Sequence, residues 1–352
     1  MTKIIAFYLP QFHTIPENDK WWGKGFTEWI NTKKAKSLFN NHYQPREPLN
    51  DNYYNLQDIE TLKWQTSLAK QYGISGFCFY HYWFTGKKLL EKPAEMLLEN
   101  KTIDFPFCFS WANEPWTRAW DGSEDEILIA QDYGDQDDWR LHFEYLLDFF
   151  KDDRYIKIDN KPVFVMYRTE NFPLCDKMIE LWDSLCKEND FNGIYFIETL
   201  NSFQEKSFCR NSEAVLEFEP MYTLTHKMSY SYHLWRRIKK ILTLRFQPTF
   251  HSYDQIWRKV LNRKSAHQKT TFSGAFVDWD NSARKGKKST IFLGSAPKKF
   301  YEYLSALLRK ERSEIIFINA WNEWAEGAYL EPDKKYGFAF LEAIKKSLEG
   351  DK

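Results

Sequence analysis

Eight short apolar runs, separated by stretches with helical patterning, constrain the fold of this chain more than any other feature. They cover 3–9, 74–81, 106–112, 161–167, 193–198, 214–219, 272–278 and 314–321. Each is rich in β-branched and aromatic residues, and several are apolar nearly throughout, as strands covered on both faces must be. Helices are expected at 57–72, 137–151, 174–189, 297–311 and 337–348. The 174–189 stretch follows Pro173 and sets Leu174, Met178, Ile179, Leu181, Trp182 and Leu185 on one helical face. Strand and helix in alternation, with eight strands, predict an α/β protein: a (β/α)8 TIM barrel with long loops at its C-terminal face. A doubly wound open sheet is the rival. It is disfavoured because Tyr8-Leu-Pro-Gln-Phe-His13 follows the first strand where a glycine-rich phosphate turn would stand. The 352 residues fit one such catalytic domain over 1–352.

Barrel enzymes keep their chemistry at the C-terminal ends of the strands. Those ends carry Tyr8, Gln11 and His13; His81, Tyr82 and Trp83; Trp111, Asn113 and Glu114; Tyr167 and Arg168; Glu198; Glu219; Asp278 and Asp280; and Trp321, Asn322, Glu323 and Glu326. Aromatic residues make up 18% of the chain. Most are expected in the core, but a ring flanked by hydrogen-bonding groups also matches a sugar, which shows apolar C–H faces rimmed by hydroxyls. Lys+Arg and Asp+Glu are both 49, so net charge does not point to nucleic acid. The five Cys include no Cys-x-x-Cys pair and their number is odd, which predicts free thiols in a reducing compartment. The eight His show no metal-ligand spacing, so neither metal nor cofactor is expected. No signal-peptide pattern or bilayer-length apolar run occurs, which predicts a cytoplasmic protein.

Two connections are unusually long. Residues 11–56 hold Trp21, Trp22, Glu28 and Trp29 and are expected to form a lid or wall of a substrate cleft. Glu28, among Trp22, Phe26 and Trp29, suits a stacking platform with a carboxylate acceptor, and Trp120 with Asp121 suits the same role. The second connection, 227–299, has 17 Lys+Arg against three acids. A basic helical insertion is expected over 227–270, either solvated on the barrel rim or in peripheral contact with an anionic membrane, such as the inner membrane face.

The densest local signal is Ile315-Ile-Phe-Ile-Asn-Ala-Trp-Asn-Glu-Trp-Ala-Glu-Gly327. If 323–326 forms a turn of helix, Glu323 and Glu326 emerge on one face. Two carboxyls so placed can flank a glycosidic bond, one protonated and one ionised, and cleave it with retention.

Five segments extend this reading. Tyr8-Leu-Pro-Gln-Phe-His13, Trp21-Trp-Gly-Lys-Gly-Phe-Thr-Glu-Trp29, Gly76-Phe-Cys-Phe-Tyr-His-Tyr-Trp-Phe84, Phe109-Ser-Trp-Ala-Asn-Glu-Pro-Trp-Thr-Arg118 and Asn319-Ala-Trp-Asn-Glu-Trp-Ala-Glu-Gly327 resemble the WbsX-like family, which is related to the family 99 glycoside hydrolases, endo-α-mannosidases. The resemblance implies that Glu326 is the general acid/base. It implies that Glu323 deprotonates the sugar's own 2-hydroxyl, which attacks the anomeric carbon to give an anhydro-sugar intermediate. The family 99 motif is Glu-Trp-His-Glu; here Ala325 replaces the His. The implied substrate is an oligosaccharide or polysaccharide with α-linked, mannose-like bonds, in polysaccharide or lipopolysaccharide metabolism. Members of the WbsX-like family are also labelled glycosyltransferases, and Asp278-Trp-Asp280 spells a motif that can hold the metal of a nucleotide sugar. A nucleotide-sugar-dependent transferase and a non-catalytic glycan-binding barrel are therefore the alternatives.

Overall fold

The computed structural model describes residues 2–118, 123–242, 247–263, 267–311 and 313–350. Eight parallel strands form its centre: β1 (Lys3–Tyr8), β2 (Gly76–Phe84), β3 (Phe107–Trp111), β4 (Lys161–Met166), β5 (Tyr195–Leu200), β6 (Ala214–Glu217), β7 (Thr270–Phe276) and β8 (Ile315–Asn319). Each pairs with its neighbours in chain order, and β1 pairs with both β2 and β8. The register runs from Ile5 opposite Gly76 to Tyr8 opposite Phe79 on one side, and from Lys3 opposite Ile315 to Ala6 opposite Ile318 on the other. The sheet thus closes on itself and leaves no edge, the arrangement of a (β/α)8 barrel.

Helices Ile59–Gln71, Gln136–Lys151, Cys175–Glu188, Pro297–Lys310 and Ala339–Glu349 lie where the apolar periodicity placed them, within two residues at each end. The first is capped by Asp58, whose side chain accepts from Glu60 N, and the second by Asp135. A further helix, Lys92–Glu99, precedes β3, and among the described residues no helix joins β5 to β6. The connection from β6 to β7 holds helices Met221–His226, Tyr230–Leu242 and Tyr253–Asn262 and the short strand Thr249–Ser252. Residues 11–56 contain helices Pro16–Trp22 and Glu28–Lys34. Closure constrains side-chain size where strands press together: a Cβ at Gly274 on β7 would lie 2.0 Å from Glu217 O on β6, so glycine is required there.

Inside the barrel, Phe7 packs against Tyr80 (5.5 Å between centroids), Phe218 (5.1 Å) and Phe317 (5.8 Å), and Tyr167 meets Phe218 at 5.7 Å. This aromatic layer closes the barrel core and leaves a floor for whatever stands above it.

The cysteine expectation fails. Cys175 and Cys209 form a disulfide, with Cα atoms 6.3 Å apart, while Cys78, Cys108 and Cys186 are free and buried. The partners lie 34 residues apart, at the start of one helix and in the helix-free β5–β6 connection, so spacing in sequence could not reveal them. Disulfides are rare in reducing compartments, so this bond withdraws the cysteine argument for a cytoplasmic location. No helix among the described residues is long and apolar enough to cross a membrane.

Candidate active site

Beyond β8 the chain turns sharply across the barrel mouth. Trp321 N donates to Phe7 O at 2.7 Å, and the Asn322 amide clamps Leu9, accepting from its N at 2.7 Å and donating to its O at 3.0 Å. Residues Asn322–Glu323 then pair antiparallel with Ala328–Tyr329 around a 3-10 turn, Trp324–Glu326. Gly327 ends the turn in the left-handed region (φ +67), where a Cβ would lie 3.0 Å from both Arg46 Nη2 and Asp280 N. Trp324 stacks on Tyr329 at 3.9 Å and donates its ring N–H to Glu331 at 2.7 Å. The turn bearing both glutamates is therefore fixed from below and from the side.

Glu323 and Glu326 both line a cleft of about 670 Å3. The cleft is also lined by Gln11, Tyr80, Tyr82, Glu114, Trp116, Tyr167, Phe203, Phe218, Trp279, Asn281, Arg284 and Asn319. Arg284, on the short helix Ser282–Lys285 after β7, organises the charge. Its Nη1 lies 2.5 Å from Glu326 Oε1, its Nε lies 3.2 Å from Glu28 Oε1, and its Nη2 stands 3.6 Å from Glu323 Oε2. Burial opposes the guanidinium's charge, but the carboxylates of Glu28, Glu326 and Glu323 outweigh it and raise Arg284 above its ordinary value. Burial pushes Glu323 up to about 8; the charge of Glu326 adds to the rise and Arg284 pulls against it. Burial likewise takes Glu28 up to about 7 against the pull of Arg284. Glu323 Oε2 and Glu28 Oε2 are buried without a hydrogen-bond partner among the described residues. An uncompensated buried carboxylate oxygen is costly, and that of Glu323, which lines the cleft, is a ready acceptor for an incoming hydroxyl.

The remaining expected residues divide. Gln11 and Tyr82 line the cleft, joined by a 3.2 Å hydrogen bond, and so does Glu114, held by Arg168 at 2.7 Å. Tyr8, His81, Trp83 and Trp111 do not reach it. Tyr8 turns into the layer behind the barrel, stacking near Phe79 and donating to Gln65 at 2.7 Å. His81 meets His142 at 2.8 Å and Trp83 stacks on the same His142 at 4.4 Å; burial lowers His81 to about 3. Side chains alternate along β2, so Tyr80 and Tyr82 point into the mouth while His81 and Trp83 point out toward the helices. Reading three consecutive residues as one site missed that parity, and with it Tyr80.

His13 is fully buried, and burial lowers it to about 4. Asn113 is a loop brace, donating to Arg168 O at 2.8 Å and accepting from Arg168 N at 2.8 Å. Trp321 packs on Phe77 in the core. Trp22 stacks on Phe26, while Trp29 donates to Tyr54 O and packs on Trp324, so both support the wall outside the cleft lining. Glu28, expected as the acceptor beside a stacking platform, lies behind Arg284, fully buried and outside the cleft lining. Glu219 is held by Arg263 at 2.8 Å and by Thr223 at 2.7 Å. Asp280 accepts from His42 at 2.8 Å and from Gln44 at 3.0 Å, and Asp278 accepts from Arg46 at 2.8 Å. Although burial opposes it, the His42 bond and the Arg46 charge hold Asp280 well below the usual carboxylate range. Asp280 contributes instead through its backbone, its N donating to Glu326 O at 2.7 Å. Trp120 and Asp121 lie outside the described residues. Among the described residues no group of three or more His, Cys, Asp or Glu is arranged to hold a metal ion.

Arg284 was missed because a lone Arg within the run Ser-Ala-Arg-Lys-Gly carries no motif. The one local hint was its place shortly after the seventh strand.

A family model described as Glycosyltransferase WbsX matches residues 4–344. The uncharacterized protein WxcX of Xanthomonas campestris pv. campestris is 34% identical over 354 residues, which cover 98% of this chain and 49% of that protein. The chain thus spans about half the length of the curated relatives it matches. Among solved structures, the GH99 endo-alpha-mannosidase of Bacteroides thetaiotaomicron superposes with a TM-score of 0.59 at 13% identity, covering 98% of this chain and 96% of that one. A glycoside hydrolase-like protein superposes at 0.60 with 14% identity, covering 98% and 93%. At such identities these likenesses speak for the barrel fold.

Proposed function

The chain belongs to the WbsX glycosyltransferase family, and on that premise we propose that it is a retaining enzyme that cleaves or transfers α-linked, mannose-like glycosidic bonds with Glu323 and Glu326 as its working pair. The observation that carries this reading is the buried, unbonded Oε2 of Glu323 beside Glu326 in an aromatic cleft. Glu323, pushed to about 8, is a far stronger base than an ordinary carboxylate, and its free oxygen suits the 2-hydroxyl of a bound sugar. Its O–H proton passes to Glu323 as O2 bonds to the anomeric carbon. The bond from that carbon to the leaving oxygen breaks, and Glu326, the more exposed of the two, supplies the leaving oxygen's proton. The 1,2-anhydro sugar then opens to an acceptor hydroxyl, from water or another sugar, whose proton returns to Glu326 while Glu323 returns its own to O2. Both carboxyls end as they began.

Arg284 fits this cycle as a fixed cation among groups that exchange one proton. Tyr82, Trp116, Trp279 and the rim ring Phe203 offer faces to sugar C–H surfaces. The nucleotide-sugar alternative draws less support, because the Asp278 and Asp280 carboxylates are already engaged by Arg46, His42 and Gln44. The non-catalytic alternative leaves the rise of Glu323 to about 8 without a use.

The test is product analysis by mass spectrometry on a panel of α-linked oligosaccharides and polysaccharide, for wild type and Glu326→Gln, with and without nucleotide sugars and Mn2+. Products without nucleotide sugar, reduced ~10²-fold or more in the variant, are expected. Products that require nucleotide sugar and metal would overturn the mechanism, and binding without turnover would make the protein a lectin-like barrel.

A further inference from the structure

The insertion between β6 and β7 presents a helix whose apolar stripe faces outward. On Tyr230–Leu242, Tyr230 is 81% exposed, Leu234 44% and Ile238 48%, one turn apart along one line, with Trp235 beside them at 57%. The opposite side anchors the helix through Tyr232, which bonds His251. An amphipathic helix in a globular protein normally turns such a stripe inward. Tyr230, Leu234 and Ile238 exposed in one line, with Trp235 more than half exposed beside them, mark a contact surface.

The chemistry around the stripe is cationic. A groove of about 530 Å3 takes in Tyr230 and Leu234 of the stripe and is lined otherwise by His233, Arg236, Arg237, Thr225 and Thr249. Neither arginine meets an acidic side chain among the described residues. Lys287 and Lys288 are exposed in the turn before Ser289, whose carbonyl accepts from Thr249 N at 2.8 Å, so their turn adjoins the strand that brings Thr249 to the groove. This surface lies on the mouth side of the barrel. Thr249 pairs with Thr290, which lines the catalytic cleft, as does Met221 at the start of the insertion.

We propose that this face docks on an anionic lipid bilayer, with Tyr230, Leu234, Trp235 and Ile238 entering the interface and Arg236, Arg237, Lys287 and Lys288 meeting phosphate headgroups. An interfacial helix is recognised by this combination of a bulky apolar stripe and flanking basic residues. Although Arg263, Lys269, Arg284 and Lys299 of the basic 227–299 segment are paired with acids, Arg236, Arg237, Lys287 and Lys288 remain on this side and are complementary to such a surface. A second copy of the chain fits less well, because a two-fold contact would set the same arginines and lysines against each other. A nucleic acid would satisfy the cations but leave Leu234 and Ile238 without a partner. Docking here would hold the cleft mouth at the membrane surface, within reach of glycans carried there.

The experiment is co-sedimentation of the 352-residue chain with phosphatidylcholine vesicles, with and without phosphatidylglycerol, across a salt series. Two variants accompany it: Leu234→Ser/Trp235→Ser/Ile238→Ser, and Arg236→Ala/Arg237→Ala. The substituted side chains are largely exposed, and thermal melts establish that both variants fold. Wild type should sediment with the phosphatidylglycerol vesicles and lose binding as salt rises, and each variant should partition at least ~10-fold less. Glu326→Gln should bind as wild type, which separates this surface from the catalytic reading. Failure to sediment, equal binding to pure phosphatidylcholine, folded variants that bind as wild type, or a vesicle-free dimer abolished by the apolar variant would each overturn the proposal.

Discussion

Arg284 Nη1 stands 2.5 Å from Glu326 Oε1, although the two residues are 42 positions apart and leave the barrel from different strands. The same guanidinium also reaches Glu28 from the long β1 connection and Glu323 from the turn itself. One cation therefore balances three carboxyls that would otherwise repel one another in a low-dielectric mouth.

Arg284→Ala should lower kcat/KM by ~10²-fold or more, because removing one fixed charge from a reacting centre has about that effect. It should also cost about 3–5 kcal/mol of stability by leaving buried carboxylates without their partner. Arg284→Lys should restore part of the stability but less of the rate, since an ammonium cannot span three carboxyls as a fork does. Steady-state kinetics with thermal melts check both; a fully active Arg284→Ala would remove Arg284 from the site.

Stability should depend on pH through Glu323. Burial, aided by Glu326, raises it from 4.5 to about 8, so between those values the folded chain keeps a proton that the unfolded chain has released. The native state then binds more protons than the unfolded one, and stability falls as pH rises through that window. Melting temperature should drop from pH 5 to pH 8 more steeply in wild type than in Glu323→Gln, which has no proton to lose. Parallel curves would show that Glu323 is not raised.

The parity of β2 gives a paired test. Tyr82→Ala, in the cleft, should raise KM about 10-fold or more with a modest change in melting temperature. Trp83→Ala, stacked on His142 behind the strand, should lower stability by about 3–5 kcal/mol with KM little changed at a temperature where it is folded. The reverse pattern would mean that the strand faces are misassigned.

The Cys175–Cys209 bond closes a separation of 34 residues, which corresponds to about 3–4 kcal/mol if it acts by restricting the unfolded chain. Dithiothreitol or Cys209→Ser should lower the melting temperature accordingly. Mass spectrometry of alkylated protein should find three reactive thiols after denaturation without reductant and five with it. Five in both cases would show that the bond does not form.

The barrel itself was legible because its evidence is local. A strand covered on both faces needs a near-continuous apolar run, and a helix against it needs a 3.6-residue stripe, so eight strands and five helices could be read directly. The position of Glu323 and Glu326 was legible for a related reason: in this fold the end of the eighth strand has one place to go. The helices within 11–56 were missed because short segments dense in Trp, Asn and Lys carry little periodicity.

The sequence by itself determined the barrel and the turn after its eighth strand that sets Glu323 and Glu326 at the mouth. Only the tertiary structure decided which of Tyr80, His81, Tyr82 and Trp83 face the cleft, because a one-residue shift in register exchanges the faces of a strand. It decided that Asp278 and Asp280 brace Arg46, His42 and Gln44, that Cys175 meets Cys209, and that Arg284 joins Glu28, Glu323 and Glu326. Elements follow from neighbours along the chain. Charge balance in a site follows from neighbours in space, and closing the barrel brings those together from across its length.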